Sequence, residues 1–188
     1  MLSEQLKEST RTNHQILEKT LVAKMKAIRS EKEYAELLTL FYGYFGGLES
    51  QIDDVLNKGL LPDNAQRRKT QALANDLKYL GFEAPTKATG NDLPALNTHL
   101  QALGALYVIE GSTLGGKIIS KMMQQQLGLD EQSLSFFSGY GDKTEQMWDT
   151  FKTALNKDNL LPVQQAELMA AANETFLKFG QWFEKNEL

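Results

Sequence analysis

Cysteine is absent from this 188-residue chain, which excludes disulfides, thiolate nucleophiles and thiolate-held zinc or iron–sulfur clusters together. Any bound metal must use nitrogen or oxygen. Histidine is scarce as well, and His14 and His99 are the two imidazoles on offer. Proline occurs four times, at 62, 85, 94 and 162, near the seams of helical patterns, where its missing N–H does least harm. No apolar run reaches the length of a membrane span, and the polar opening MLSEQLKESTRTNH has no apolar signal core. A soluble cytoplasmic protein with no membrane association is expected. A basic excess is missing too: 20 basic against 24 acidic residues give a net charge of −4, which argues against a nucleic-acid partner. No window alternates with period two, so no strands are expected, and there is neither an internal repeat nor a low-complexity tract.

What the chain does have is helical periodicity. Hydrophobic residues make up 41% and charged residues 23%, ordinary globular usage in a chain long enough for one domain with a real core. One all-α domain over residues 1–188 is expected. The first pattern covers about Ser3 to Ala27, marked by Leu6, Ile16, Leu17, Leu21, Val22 and Met25, with a bend near Thr10 to Asn13. Ser30 followed by Glu33 is a capping-box signature, so a second helix begins there and carries the stripe Tyr34, Leu37, Leu38, Phe41, Tyr42, Phe45, Leu48, Ile52 and Val55. A third covers Ala65 to Tyr79. Loop and short turns follow to Leu93, and a fourth helix runs from about Leu96 to Leu127. Beyond a turn at Gly128 to Asp130 and a short helical piece, Asp142 or Thr144 caps a helix through Asn156. Pro162 opens a last helix that ends near Glu184 and aligns Met169, Ala172, Phe176, Phe179 and Phe183.

The fourth helix is unusual. In LGALYVIEGSTLGGKIIS, Gly104, Gly111, Gly115 and Gly116 interrupt an apolar run, and each interior glycine costs a helix about 1 kcal/mol relative to alanine. Gly104, Val108, Gly111, Gly115 and Ile118 are spaced by three or four and make one bare face. Two things can lie against such a face, a neighbouring helix packed backbone to backbone or a planar ligand. The adjacent pair Gly115 and Gly116 suits a kink better than a straight seam.

Candidates for chemistry are few. Glu18 follows His14 by one turn on the same face, placed to accept a hydrogen bond from the imidazole N–H that does not face a metal, although a glutamate there also suits a plain exposed helix. His99 reads as a surface or first-turn residue. Glu-x-x-His pairs are missing, which disfavours a di-iron bundle, and Glu49, Asp53 and Asp54 read as solvated carboxylates. GSTLGGK is no phosphate loop, because Lys117 is followed by Ile118 and the context is helical. Nor does Ser112 sit in a nucleophile elbow.

Three segments together resemble the heme oxygenase family, in its bacterial biliverdin-forming branch: STRTNH followed by Leu17 and Glu18, LGALYVIEGSTLGG, and FFSGYGDKTEQMWDTFKTAL. The likeness covers nearly the whole chain. It implies an all-helical fold that sandwiches heme between a proximal helix near the N-terminus and a kinked distal helix. His14 would be the axial ligand to iron, with Glu18 as its partner. Gly111, Ser112, Gly115 and Gly116 would form the distal kink, where backbone lies on the porphyrin and leaves room for dioxygen. Lys7, two turns before His14, and Lys152 would meet heme propionates. Animal relatives carry an aspartate where this chain has Ser112, whose hydroxyl donates or accepts but supplies no negative charge.

The resemblance further implies that heme is both substrate and cofactor, cleaved with O₂ to biliverdin, carbon monoxide and ferrous iron. Electrons would come from a ferredoxin, a flavodoxin or a reductase, since no flavin or iron–sulfur signature is present. A downstream acceptor of the bilin is a further partner in that picture. Two other readings stay open: a heme carrier or sensor on the same fold without turnover, and a helical protein that binds no heme, in which the glycine face is only a packing seam.

Overall fold

A computed structural model describes residues 1–186 apart from 58, 60 and 158, and these contain helices and short 3₁₀ turns without a strand. The helices are α1 (Leu2–Ala27), α2 (Glu31–Val55), α3 (Gln71–Tyr79), α4 (His99–Gly111), α5 (Thr113–Leu127), the single turn α6 (Ser135–Ser138), α7 (Thr144–Lys157) and α8 (Pro162–Asn186). Among the described residues no helix is long and apolar enough to cross a membrane.

Local chemistry sets most boundaries. Ser30 accepts a hydrogen bond from the Glu33 amide and opens α2, while Thr98 accepts from Gln101 and moves the start of α4 to His99, later than the apolar pattern alone suggests. Gly128, in the left-handed region at φ +68°, closes α5. Helix α1 runs unbroken through Thr10 to Asn13. The third helix departs most from the sequence pattern. Instead of running from Ala65, the chain makes a 3₁₀ turn at Asn64–Gln66, becomes extended at Arg67, and enters α3 only at Gln71. The reason is polar: Arg67 and Arg68 turn inward to partners described below, and Glu49 of α2, far from being merely solvated, accepts from both the amide and the hydroxyl of Thr70.

Helix α8 is the backbone of the packing, lying against α4 and α1 and also touching α2. Its Phe179 stacks on Tyr44 at 4.6 Å and contacts Phe41, Phe45 and Phe183, and α6 adds Phe136 and Phe137 to the same aromatic cluster. The buried phenols are satisfied, Tyr44 donating to the Thr175 carbonyl at 2.6 Å and Tyr34 to that of Ser133 at 3.1 Å. Asp76, fully buried, accepts from the Ser135 and Phe136 amides and so pins the start of α6. Because α8 holds α1 on one side and α4 on the other, the two helices that carry the candidate residues are fixed relative to each other.

Candidate functional site

Thr10 of α1 is buried beside Tyr107 of α4, whose phenol is pushed upward by burial and eased by the Thr10 hydroxyl. This contact ties α1 to α4. The Tyr107 ring tilts against Trp148 of α7 at 5.4 Å. His14, one turn beyond Thr10, is exposed; its ring lies 5.3 Å from Phe176 of α8, and neither nitrogen is hydrogen-bonded to a described residue. Glu18 is exposed as well, and the bond to His14 that helical spacing permits is not formed. At the other end of α1, the Ser3 amide donates to Asn156 Oδ1 and Asn156 returns a bond to Ser3 Oγ, both at 3.0 Å, tying α1 to α7. Lys7 and Lys152 each lie one turn from this tie. Lys152 is held by Asp149 at 2.7 Å.

His99 does not join them. It heads α4, as a first-turn residue should, and its Nδ1 accepts from the Asn57 amide at 3.0 Å. No group of three or more histidine, aspartate or glutamate side chains among the described residues could hold a metal ion.

The glycine face divides along its length. At Gly104 it is a packing seam: a Cβ there would stand 2.3 Å from the Leu168 carbonyl oxygen and 3.0 Å from the Ala172 amide, both on α8. Gly111 meets only the edge of Trp148, at 3.7 Å, and at Gly115 nothing lies within 4 Å. Ile118, next along this face, is 68% exposed. A helix therefore occupies the first half of the face, and the second half is open at Gly115. Gly116 is a different case. A Cβ on it would stand 2.0 Å from the Phe137 carbonyl oxygen, so its smallness admits α6.

The expected single helix is divided at Ser112, the residue between α4 and α5. A buried polar cluster that sequence reasoning missed is centred there. The Arg68 guanidinium donates to the Ile109 carbonyl at 3.0 Å, to Ser112 Oγ at 2.7 Å and to the Phe136 carbonyl at 3.1 Å, with its plane 3.8 Å from the Phe136 ring. Burial lowers this guanidinium to about 10, opposed by Glu110, Tyr140 and Glu49, and it remains a cation at neutral pH. Glu110 and Arg67, each 1% exposed, pair at 2.5 Å, and Arg67 also grips Asp63 through two bonds. Tyr140 donates to Glu110 and accepts from the Arg68 amide at 2.8 Å. A signal for this cluster exists in the sequence: Glu110 is the one charged residue between Leu100 and Gly116, and a carboxylate in an apolar helix demands a buried cation. Arg68→Met strips the carbonyls at the break of their charged donor and is expected to cost about 2–3 kcal/mol, read as a lower midpoint in urea unfolding. Arg68→Lys recovers only part, because an ammonium cannot span the same fork.

The heme oxygenase family model matches residues 1–185. The chain belongs to the heme oxygenase family. A heme oxygenase of Xanthomonas campestris pv. campestris is 30% identical over 146 residues, 78% of this chain and 86% of that protein. In fold, this family member superposes on the NO- and CO-bound heme oxygenase of Neisseria meningitidis with a TM-score of 0.83 at 25% identity, covering 99% of this chain and 92% of that one. The heme complex of heme oxygenase-1 from Synechocystis shares the fold with a TM-score of 0.77 at 18% identity, over 99% and 92% of the two chains. The helical heme oxygenase architecture expected from the three sequence segments is therefore present.

Proposed function

We propose that this heme oxygenase family member binds heme between α1 and the α4–α5 junction and degrades it with O₂ and electrons from an external donor to biliverdin, carbon monoxide and ferrous iron. One observation carries the reading: the glycine face, closed by protein at Gly104, opens at Gly115 beside the exposed side chains of Leu114 and Ile118, while α1, tied to α4 by Thr10 and Tyr107, carries the exposed imidazole of His14; the space between them is the proposed heme cleft. An apolar, unpartnered strip of backbone, together with a nitrogen ligand, suits a flat apolar group that carries a metal. Heme supplies the redox iron and the macrocycle that is opened.

The chain's own residues bind and orient. His14 offers a neutral nitrogen to the iron, with Glu18 one turn away to receive the other ring N–H once the ring is fixed. Gly115 keeps side chains off the distal side, Gly111 leaves room for the Trp148 edge that bounds it, and Ser112, held by Arg68, offers a hydroxyl at the break. Gly116 supports this arrangement by seating α5 on α6. Lys7 and Lys152 place cations where propionates would emerge. The reading treats residues 1–188 as one such domain, working in the cytoplasm.

The test is a titration of the purified chain with hemin, followed by ascorbate and air and then by a ferredoxin or flavodoxin donor system, with the visible spectrum recorded throughout. A Soret band that bleaches as the broad biliverdin absorbance rises is the expected result. A Soret band stable under both donors would instead make the protein a heme carrier or sensor, and no Soret band would remove heme from the account.

A further inference from the structure

Trp148 lies where the open part of the glycine face ends. Its Cη2 stands 3.7 Å from the Cβ position of Gly111, whereas Gly115, one turn farther along, has nothing within 4 Å. The indole cannot readily recede. Phe151 stacks behind it at 5.7 Å and 19° and is fully buried, and Tyr107, 8% exposed, braces it at 5.4 Å. Phe151 is itself covered by the Arg67 guanidinium at 5.3 Å, which Glu110 and Asp63 hold in place. One turn along α7, Lys152 extends over the indole face at 5.9 Å.

Resting on the heme-binding reading above, we propose that Trp148 is the end stop of the cleft, a positioning residue that fixes how far and in which in-plane orientation the macrocycle seats, and so which edge of it is cleaved. A flat group entering over Gly115 meets the indole edge before it reaches Gly111. A rigid aromatic wall with a packed second layer defines that limit to within the play of one side chain. The apolar stop and the cation beside it come from the same helix, so the depth of insertion and the position of an acidic substituent are set together.

The test compares the wild-type chain with Trp148→Phe, Trp148→Leu and Trp148→Ala, each loaded with hemin. Four readouts are taken: the visible spectrum, the heme-methyl proton resonances of the cyanide complex, the heme release rate and the bilin isomers formed on turnover. Wild type and Trp148→Phe are expected to give one dominant set of methyl resonances and one bilin isomer. Trp148→Leu and Trp148→Ala keep the imidazole-ligated spectrum, split the methyl set, release heme about tenfold faster and yield mixed isomers. A general loss of packing would not split the methyl set in a chain that melts normally. If the alanine variant does not fold, the leucine variant carries the comparison. A single unchanged methyl set and isomer in a folded Trp148→Leu chain would overturn the role of Trp148 alone. Failure of the wild type to take up hemin would overturn both this role and the reading on which it rests.

Discussion

A His14→Ala chain is expected to fold like its parent and to lose the imidazole-ligated spectrum on addition of hemin. The two halves of this result have separate causes. On the folding side, His14 is an exposed residue within α1 whose one ring contact is with Phe176. Alanine is the best helix former, so the change in stability should stay within about 0.5 kcal/mol. On the binding side, the described residues offer no second imidazole to the cleft, since His99 is engaged with Asn57 on another part of α4. Outer-shell partners of metal ligands are typically worth 10–100-fold in affinity, and removal of the ligand itself should cost at least about 100-fold. Millimolar imidazole should restore the spectrum in the open site. The measurement is a hemin titration monitored at the Soret band beside a thermal melt. A normal Soret band in the variant would remove His14 from the site, and a large fall in melting temperature would make it a structural residue.

The helices were legible in the sequence because their causes are local. Ser30 caps, Pro162 opens a helix, Gly128 closes one, and the apolar stripe of α2 buries as its period requires, whereas the Thr98 cap sets the start of α4 later than the expected Leu96. The start of the third helix is not legible because residues 65–70 have ordinary helical propensity, while the partners that draw Arg67 and Arg68 inward, Glu110 and Ser112, lie more than forty positions away. Propensity carries no record of such partners. The glycine face shows the same limit. Spacing alone aligned Gly104, Gly111 and Gly115, yet what each glycine faces depends on α8, α7 and open space respectively. His14 could be singled out by scarcity, since a chain with two histidines and no cysteine has little else to offer a metal. Trp148 could not, because an aromatic on an amphipathic helix is most often core, and only its distance from Gly111 distinguishes it.

Adjacent glycines should respond to alanine with opposite signs. At Gly115 a Cβ would enter open space, so Gly115→Ala gains helix propensity without a clash and should stabilise the chain by about 1 kcal/mol, or about 2–4 °C in melting temperature for a chain of this size. At Gly116 the same methyl would stand 2.0 Å from the Phe137 carbonyl oxygen and 3.0 Å from its carbon. Backbone cannot swing aside as a side-chain tip can, and α6 is further held by Asp76 and Arg68. Gly116→Ala should therefore cost about 2 kcal/mol net, lowering the melting temperature by about 4–8 °C. Hemin titration separates the meanings of the two effects. If heme lies on the open backbone, the more stable Gly115→Ala chain binds it more weakly and bleaches it more slowly, because the added methyl occupies space that the heme would require. A glycine face that served only as a packing seam would lose stability at both positions and show no such trade. Unimpaired heme uptake in a stabilised Gly115→Ala chain would remove this face from the heme site. The stability gained there measures what the open backbone costs the unliganded protein, a cost that packing alone does not explain because no packing partner occupies that position.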